Sequence, residues 1–131
     1  MHHIRATNML ARLALLVASC SATTLFVADS GGNVTSLSLD VGPGKNSSLV
    51  ASHRTTECAT NPSWLTLDAA NRILYCVDRA SNSVVNGSLN SFSVGDTGAL
   101  VHIDRIPVSS SGVAGKIVTL DSGVRAYVTA S

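Results

Sequence analysis

The sequence predicts an all-β fold assembled from four-stranded antiparallel units, and three observations predict it. Beyond Ala22 almost no stretch carries helical periodicity; short apolar beats alternate with turns of Gly, Asn, Ser and Pro. The 131 residues include 19 serines and 11 threonines against 13% charged and 45% hydrophobic residues, a composition that suits many short strands and turns. The third observation is internal repetition. "PSWLTLDAANRILYCVDR" lines up with "GKIVTLDSGVRAYVTAS", each reading strand, TLD, turn, Arg, strand. "LFVADS", "LYCVDR" and "AYVTAS" also align, with Phe26, Tyr75 and Tyr127 spaced 49 and then 52 residues apart. A unit of roughly 50 residues with four short strands is the size of a β-propeller blade, and about two and a half such blades fit in the chain.

The elements follow in order. "TTLFVADS" is a short apolar strand that stops at a glycine pair, Gly31 and Gly32. "NVTSLSLDV" sets Val34, Leu37 and Leu39 against Thr35, Ser36 and Ser38, close to the period of two that a half-buried strand needs. "VGPGKNSS" reads as a loop and "SLVASH" as the third strand. Next come the strand "SWLTLD", the turn "DAANR" and the strand "ILYCVDR", rich in β-formers. "SNSVVNGS" reads as a loop, "LNSFSVG" as a strand, "GDTGA" as a turn and "LVHIDRIPV" as a strand. After the loop "SSSGVAGK" come "IVTLD", the turn "SG" and "VRAYVTAS". Residues 23–131 thus form one partial propeller with blade boundaries near 60 and 112.

Residues 1–22 read as a signal peptide. Arg5 and Arg12 give a positive start, Leu13 to Ala18 an apolar run, and Cys20 and Ala22 small residues at the −3 and −1 positions. The tidier start is Met9. The apolar run is well short of the about 20 residues that cross a bilayer, so no membrane span is expected. A buried amino-terminal strand or helix is the alternative. With Cys20 removed, Cys58 and Cys76 remain, an even count for an oxidising compartment. They flank "NPSWLTLD", and adjacent antiparallel strands would bring them together as a disulfide; two separate buried thiols are the alternative. The same compartment gives meaning to three sequons, at Asn33, Asn46 and Asn86, while Pro62 disqualifies Asn61. Secretion is the expected localisation.

Several function classes are excluded. Nine Lys plus Arg are scattered and offset by eight acids, for a net charge of +1, so no phosphate-binding surface and no nucleic-acid partner are expected. No CxxC or HxxxH spacing exists and His53 completes nothing, so no metal is expected, and no cofactor. "DSGG" at Asp29 to Gly32 echoes a protease nucleophile loop but lacks the sequence around it, and a turn explains it better. "GPGKNSS" and "GVAGK" both fail the phosphate-loop pattern: the first has Leu39 where a Gly is required, the second Ile117 where a Ser or Thr is. Trp64 and Tyr75 read as core rings rather than ligand stackers.

"NPSWLTLDAANRILYCVD", "GSLNSFSVGDTGALVHIDRIPVSSSG" and "VTLDSGVRAYVTAS", in that order and spacing, resemble the lactonase-type seven-bladed propellers over Thr24 to Ser131. That family includes 6-phosphogluconolactonase and carboxymuconate cyclase, and the chain is most similar to its secreted fungal members. The resemblance implies a ring of four-stranded blades closed by strands from both termini. It makes this chain an amino-terminal fragment whose first blade lacks its innermost strand, truncated and inactive alone. It also implies lactone hydrolysis or cyclisation in carbohydrate metabolism, with a lactone or sugar-derived ligand as partner. That chemistry needs a positive group for the oxyanion and an acid or base for a proton. On blade geometry the loops of the ligand face hold His53, Arg54, Glu57 and Arg79, with Lys116 in the third blade, as candidate substrate-binding residues; solvated loop charge is the alternative. Active members are expected to carry a His in the loop opening the third blade, where this chain reads "SGVAGKIV". The competing function is a non-catalytic extracellular binding module. The substrate and the oligomeric state do not follow from the sequence.

Overall fold

The computed structural model describes residues 23–42, 47–80, 86–109 and 112–130. The expected signal peptide and Asn46 lie outside them. All nine strands among the described residues are antiparallel to their sequence neighbours within three sheets. The first sheet holds β1 (Thr23–Ala28), β2 (Val34–Val41) and β3 (Ser47–Thr55) in that order. The second holds β4 (Pro62–Asp68), β5 (Ile73–Asp78), β6 (Asn86–Val94) and β7 (Leu100–Ser109). β8 (Ala114–Thr119) and β9 (Arg125–Ala130) form the third. Sheets of three, four and two strands in meander order are what a partial propeller should show.

Register decides which side chains meet. Leu65 pairs with Cys76, Cys76 with Asn90, and Leu74 with Phe92, which sets these residues on one face of the second sheet. That face closes on the first sheet, where Val34, Cys58, Leu74, Cys76 and Phe92 form a buried cluster with Phe26, Ala28, Leu65, Val94 and Leu100 against it. The core therefore lies between two sheets, as in packed blades.

A hairpin tip locks the same pair. In the β6–β7 turn Gly98 takes φ 83°, the left-handed region a glycine adopts freely. Its carbonyl accepts a 2.6 Å bond from Ser36 Oγ, buried in the first sheet. A Cβ on Gly98 would lie 2.9 Å from Thr24 Cγ2, so glycine is also what lets the tip approach.

Four expectations need correction. Ser47 and Ser48, read with the loop, begin β3 opposite Val41 and Asp40. Asn86 to Ser88 belong to β6 rather than a loop, because Gly87 and Ser88 find ladder partners in Val108 and Pro107. Ala114 to Lys116 likewise belong to β8, paired with Ala130 to Val128. Local composition reads as loop at all three places, and cross-strand pairing overrides it. The disulfide between Cys58 and Cys76 is present, with Cα atoms 6.0 Å apart, but it does not join adjacent strands. Cys58 sits in the connector between β3 and β4, so the bond ties that connector to the middle of the second sheet.

Candidate functional site

The ends of β1, β3 and β5 and the starts of β2 and β4 converge at one end of the sheets, where the β1–β2 turn and the 56–61 connector lie. "DSGG" is a turn cap here. Asp29 Oδ1 accepts from Gly31 N and Asn33 N, and both its oxygens accept from Asn33 Nδ2 at 2.9 Å. The Asn33 side-chain bond, then its backbone N–H, holds the Asp29 carboxyl below its usual range. Arg54 Nε donates to Asn33 Oδ1 at 2.8 Å, so the turn and β3 are one network.

The other candidates go to different partners. His53 Nε2 meets Thr97 Oγ1 at 3.1 Å in the β6–β7 turn. Glu57 turns its carboxylate to Thr55 Oγ1, while its carbonyl accepts from Arg105 Nη2 at 2.6 Å. The Arg79 backbone N–H donates to Asn61 O, and its side chain is exposed. None of these bonds joins two of the four to each other.

Lys116 stands elsewhere, on β8. There a cavity of about 510 Å³ is lined by Trp64, Ala114, Lys116, Val118, Val128 and Ala130. Its walls are apolar with one ammonium and one indole. Such a space suits a small, weakly polar ring with a carbonyl to present to the cation. Trp64 is 44% exposed, so the ring expected in the core lines this opening instead.

Between the second and third sheets lies a polar seam. Thr66 Oγ1 donates to Gly115 O at 3.1 Å, which leaves the Tyr127 hydroxyl to donate to Thr66 at 2.9 Å. Tyr127 stacks on Tyr75 with ring centroids 5.0 Å apart. Burial, chiefly, and the neighbouring Tyr75 raise the Tyr127 hydroxyl above its ordinary value of 10.0, against the opposing Thr66 bond. Arg125 ion-pairs with the buried carboxylate of Asp68, which also takes Asn71 Nδ2 at 2.9 Å. Arg125 and then Asn71 hold Asp68 below its usual range.

Sequence reasoning missed two charged residues, Asp78 and Arg105. Each lies inside an apolar beat, "ILYCVDR" and "LVHIDRIPV", and a charge amid β-formers was the available signal. Among the described residues no cluster of three His, Cys, Asp or Glu is placed to hold a metal ion, and no helix is long and apolar enough to cross a membrane.

Comparison with known proteins gives one match. A family model described as "Lactonase, 7-bladed beta-propeller" matches residues 14–131. No curated protein and no solved structure matches the chain.

Proposed function

The chain belongs to the lactonase family of seven-bladed β-propellers, and from that premise we propose that it is a secreted protein acting on lactones, by hydrolysis or cyclisation, in carbohydrate metabolism. The family match across residues 14–131 carries this reading. Secretion is supported by the charged and apolar pattern of residues 1–22 and by a disulfide, which persists in oxidising compartments. Of the sequons, Asn86 is exposed and stands at the cavity of Asp78 and Arg105, whereas the Asn33 amide is spent on Asp29 and Arg54.

Opening a lactone requires a donor or cation at the carbonyl oxygen and a group to move a proton. Lys116 beside Trp64 is the candidate for the first role. His53, Arg54, Glu57 and Arg79 do not line that cavity and are the candidates for charge at the connector end of the sheets. The test is acid release from glucono-δ-lactone in a pH-stat, with and without protein extended to a closed ring, since the fragment alone is expected to be inactive. Release above the spontaneous rate is expected, and Lys116→Gln lowers the excess by about a hundredfold or more, the scale of losing one oxyanion donor. No excess across several lactones sinks the catalytic reading.

A second reading, a lactone-binding module without turnover, draws on a specific observation. His53 and Arg54 are engaged with Thr97 and Asn33, and no His stands between Gly112 and Val118. On that reading lactone is retained by the protein in equilibrium dialysis while the acid trace stays at background.

A further inference from the structure

We propose that the cavity between the 56–61 connector and the outer strands of the second sheet binds a small polyhydroxylated carboxylate, with Arg105 on its carboxylate and Asp78 on its hydroxyls. The cavity is about 370 Å³ and is lined by Thr60, Asp78, Ser88, Arg105 and Pro107, among others. That volume falls in the about 300–1,000 Å³ range of small-molecule sites. It lies at β5–β7, away from the cavity of Lys116, and does not depend on the lactone reading.

The charges are what call for a ligand. Arg105 is held rigidly, its Nε donating to Asn90 Oδ1 and its Nη2 to Glu57 O, each at 2.6 Å. Both acceptors are neutral, so the guanidinium is oriented without being neutralised. Asn90 is itself fixed, buried and donating to Cys58 O and Ser88 Oγ. On the same cavity Asp78 is 5% exposed, and its Oδ1 accepts from Asn61 N at 2.8 Å. Among the described residues the ion pairs are Arg72–Asp96 and Arg125–Asp68; Arg105 and Asp78 enter neither, and do not pair with each other.

A buried carboxylate without a cation is costly to keep, and a preset guanidinium without an anion is a ready acceptor site. One ligand satisfies both. Its carboxylate takes the remaining guanidinium N–H groups, its hydroxyls donate to Asp78, and its C–H face lies on Ala59 and Pro107. A simple anion would meet Asp78 with repulsion. An uncharged polyol would leave Arg105 unanswered.

The test is calorimetric titration of the full chain with potassium gluconate, with sorbitol and acetate as the partial ligands. Gluconate is expected to bind at least tenfold more tightly than either. Arg105→Gln should remove that margin, while Arg72→Gln, a cation paired elsewhere, should retain it. Because Arg105 also holds the connector, Thr60→Trp supplies the independent variant: it fills the cavity mouth and leaves the clamp in place. With far-UV circular dichroism unchanged, it should weaken gluconate by the same tenfold or more. Equal affinity for gluconate and sorbitol, no gluconate heat, or gluconate binding untouched by Thr60→Trp overturns the proposal. A protein that binds gluconate but opens no lactone leaves it standing.

Discussion

Asp68 shows how one side chain can serve two levels of structure. It ends β4, caps the following turn through Asn71, and reaches across to Arg125 on the next sheet. Its carboxyl titrates below the ordinary value of 3.8, so its contribution is complete above that value and drains away as pH falls through its lowered one. Arg125→Gln removes the largest cause of the shift, and the acid unfolding midpoint, followed by Trp64 fluorescence, should move to higher pH. A midpoint that stays put would disconnect the ion pair from acid stability. His102 is the opposite case. Its ring stacks edge-on against Phe92 at 5.3 Å, and its Nε2 is buried without a partner. His102→Phe keeps the ring and deletes the orphan, and should stabilise by roughly 1 kcal/mol in urea titration. "TLD" was legible as the end of a strand, which holds for its first copy. Which Arg meets which Asp was not, since pairing between sheets depends on how the sheets stack. Asp121, in the second copy, lies in the turn after β8 rather than at a strand end.

At the scale of elements, alternation revealed the strands and left their extents open. β6 begins at Asn86, in polar sequence, because β7 supplies a ladder there. The same limit hid the role of Cys58: the two cysteines read as a pair, but the connector position shows only once β3 and β4 fall in different sheets. Replacing both cysteines by serine should cost about 2–4 kcal/mol, the typical worth of a native disulfide, measured as the denaturant midpoint shift at unchanged slope. A second element-scale prediction concerns Gly115, where an added Cβ would overlap the Tyr127 hydroxyl. Gly115→Ala should displace that ring, break its bond to Thr66 and loosen the third sheet first. Hydrogen exchange should then quicken in β8 and β9 while β4–β7 stay protected; uniform acceleration would mean the seam is not a separate unit.

For the whole molecule, the informative surface is apolar and exposed at both ends of the stack. Leu25, Val27, Leu49 and Val50 are open on the first sheet, and Val113, Leu120, Val124 and Val128 on the third segment. Faces of this kind associate. The 131-residue chain should sediment as larger species with rising concentration, and Val50→Asp with Val124→Asp should return it to monomer. The repeat that predicts blades entails such faces, since a blade buries its apolar side only against a neighbour. The two charged walls at Asp78 and Arg105 were beyond its reach, because β5 and β7 are not paired with each other and only the folded sheet carries both to one cavity.

The bond between Cys58 and Cys76 also changes the molecule's covalent topology. It closes a ring that contains all of β4 and the exposed turn at Ala69 to Asn71, so this edge strand of the second sheet is tied back covalently beyond both of its ends. A protease that cuts that turn therefore makes two peptides and releases neither. The nicked protein would travel as one band on a non-reducing gel and separate into two only when thiol is added, and until then β4 would keep its place.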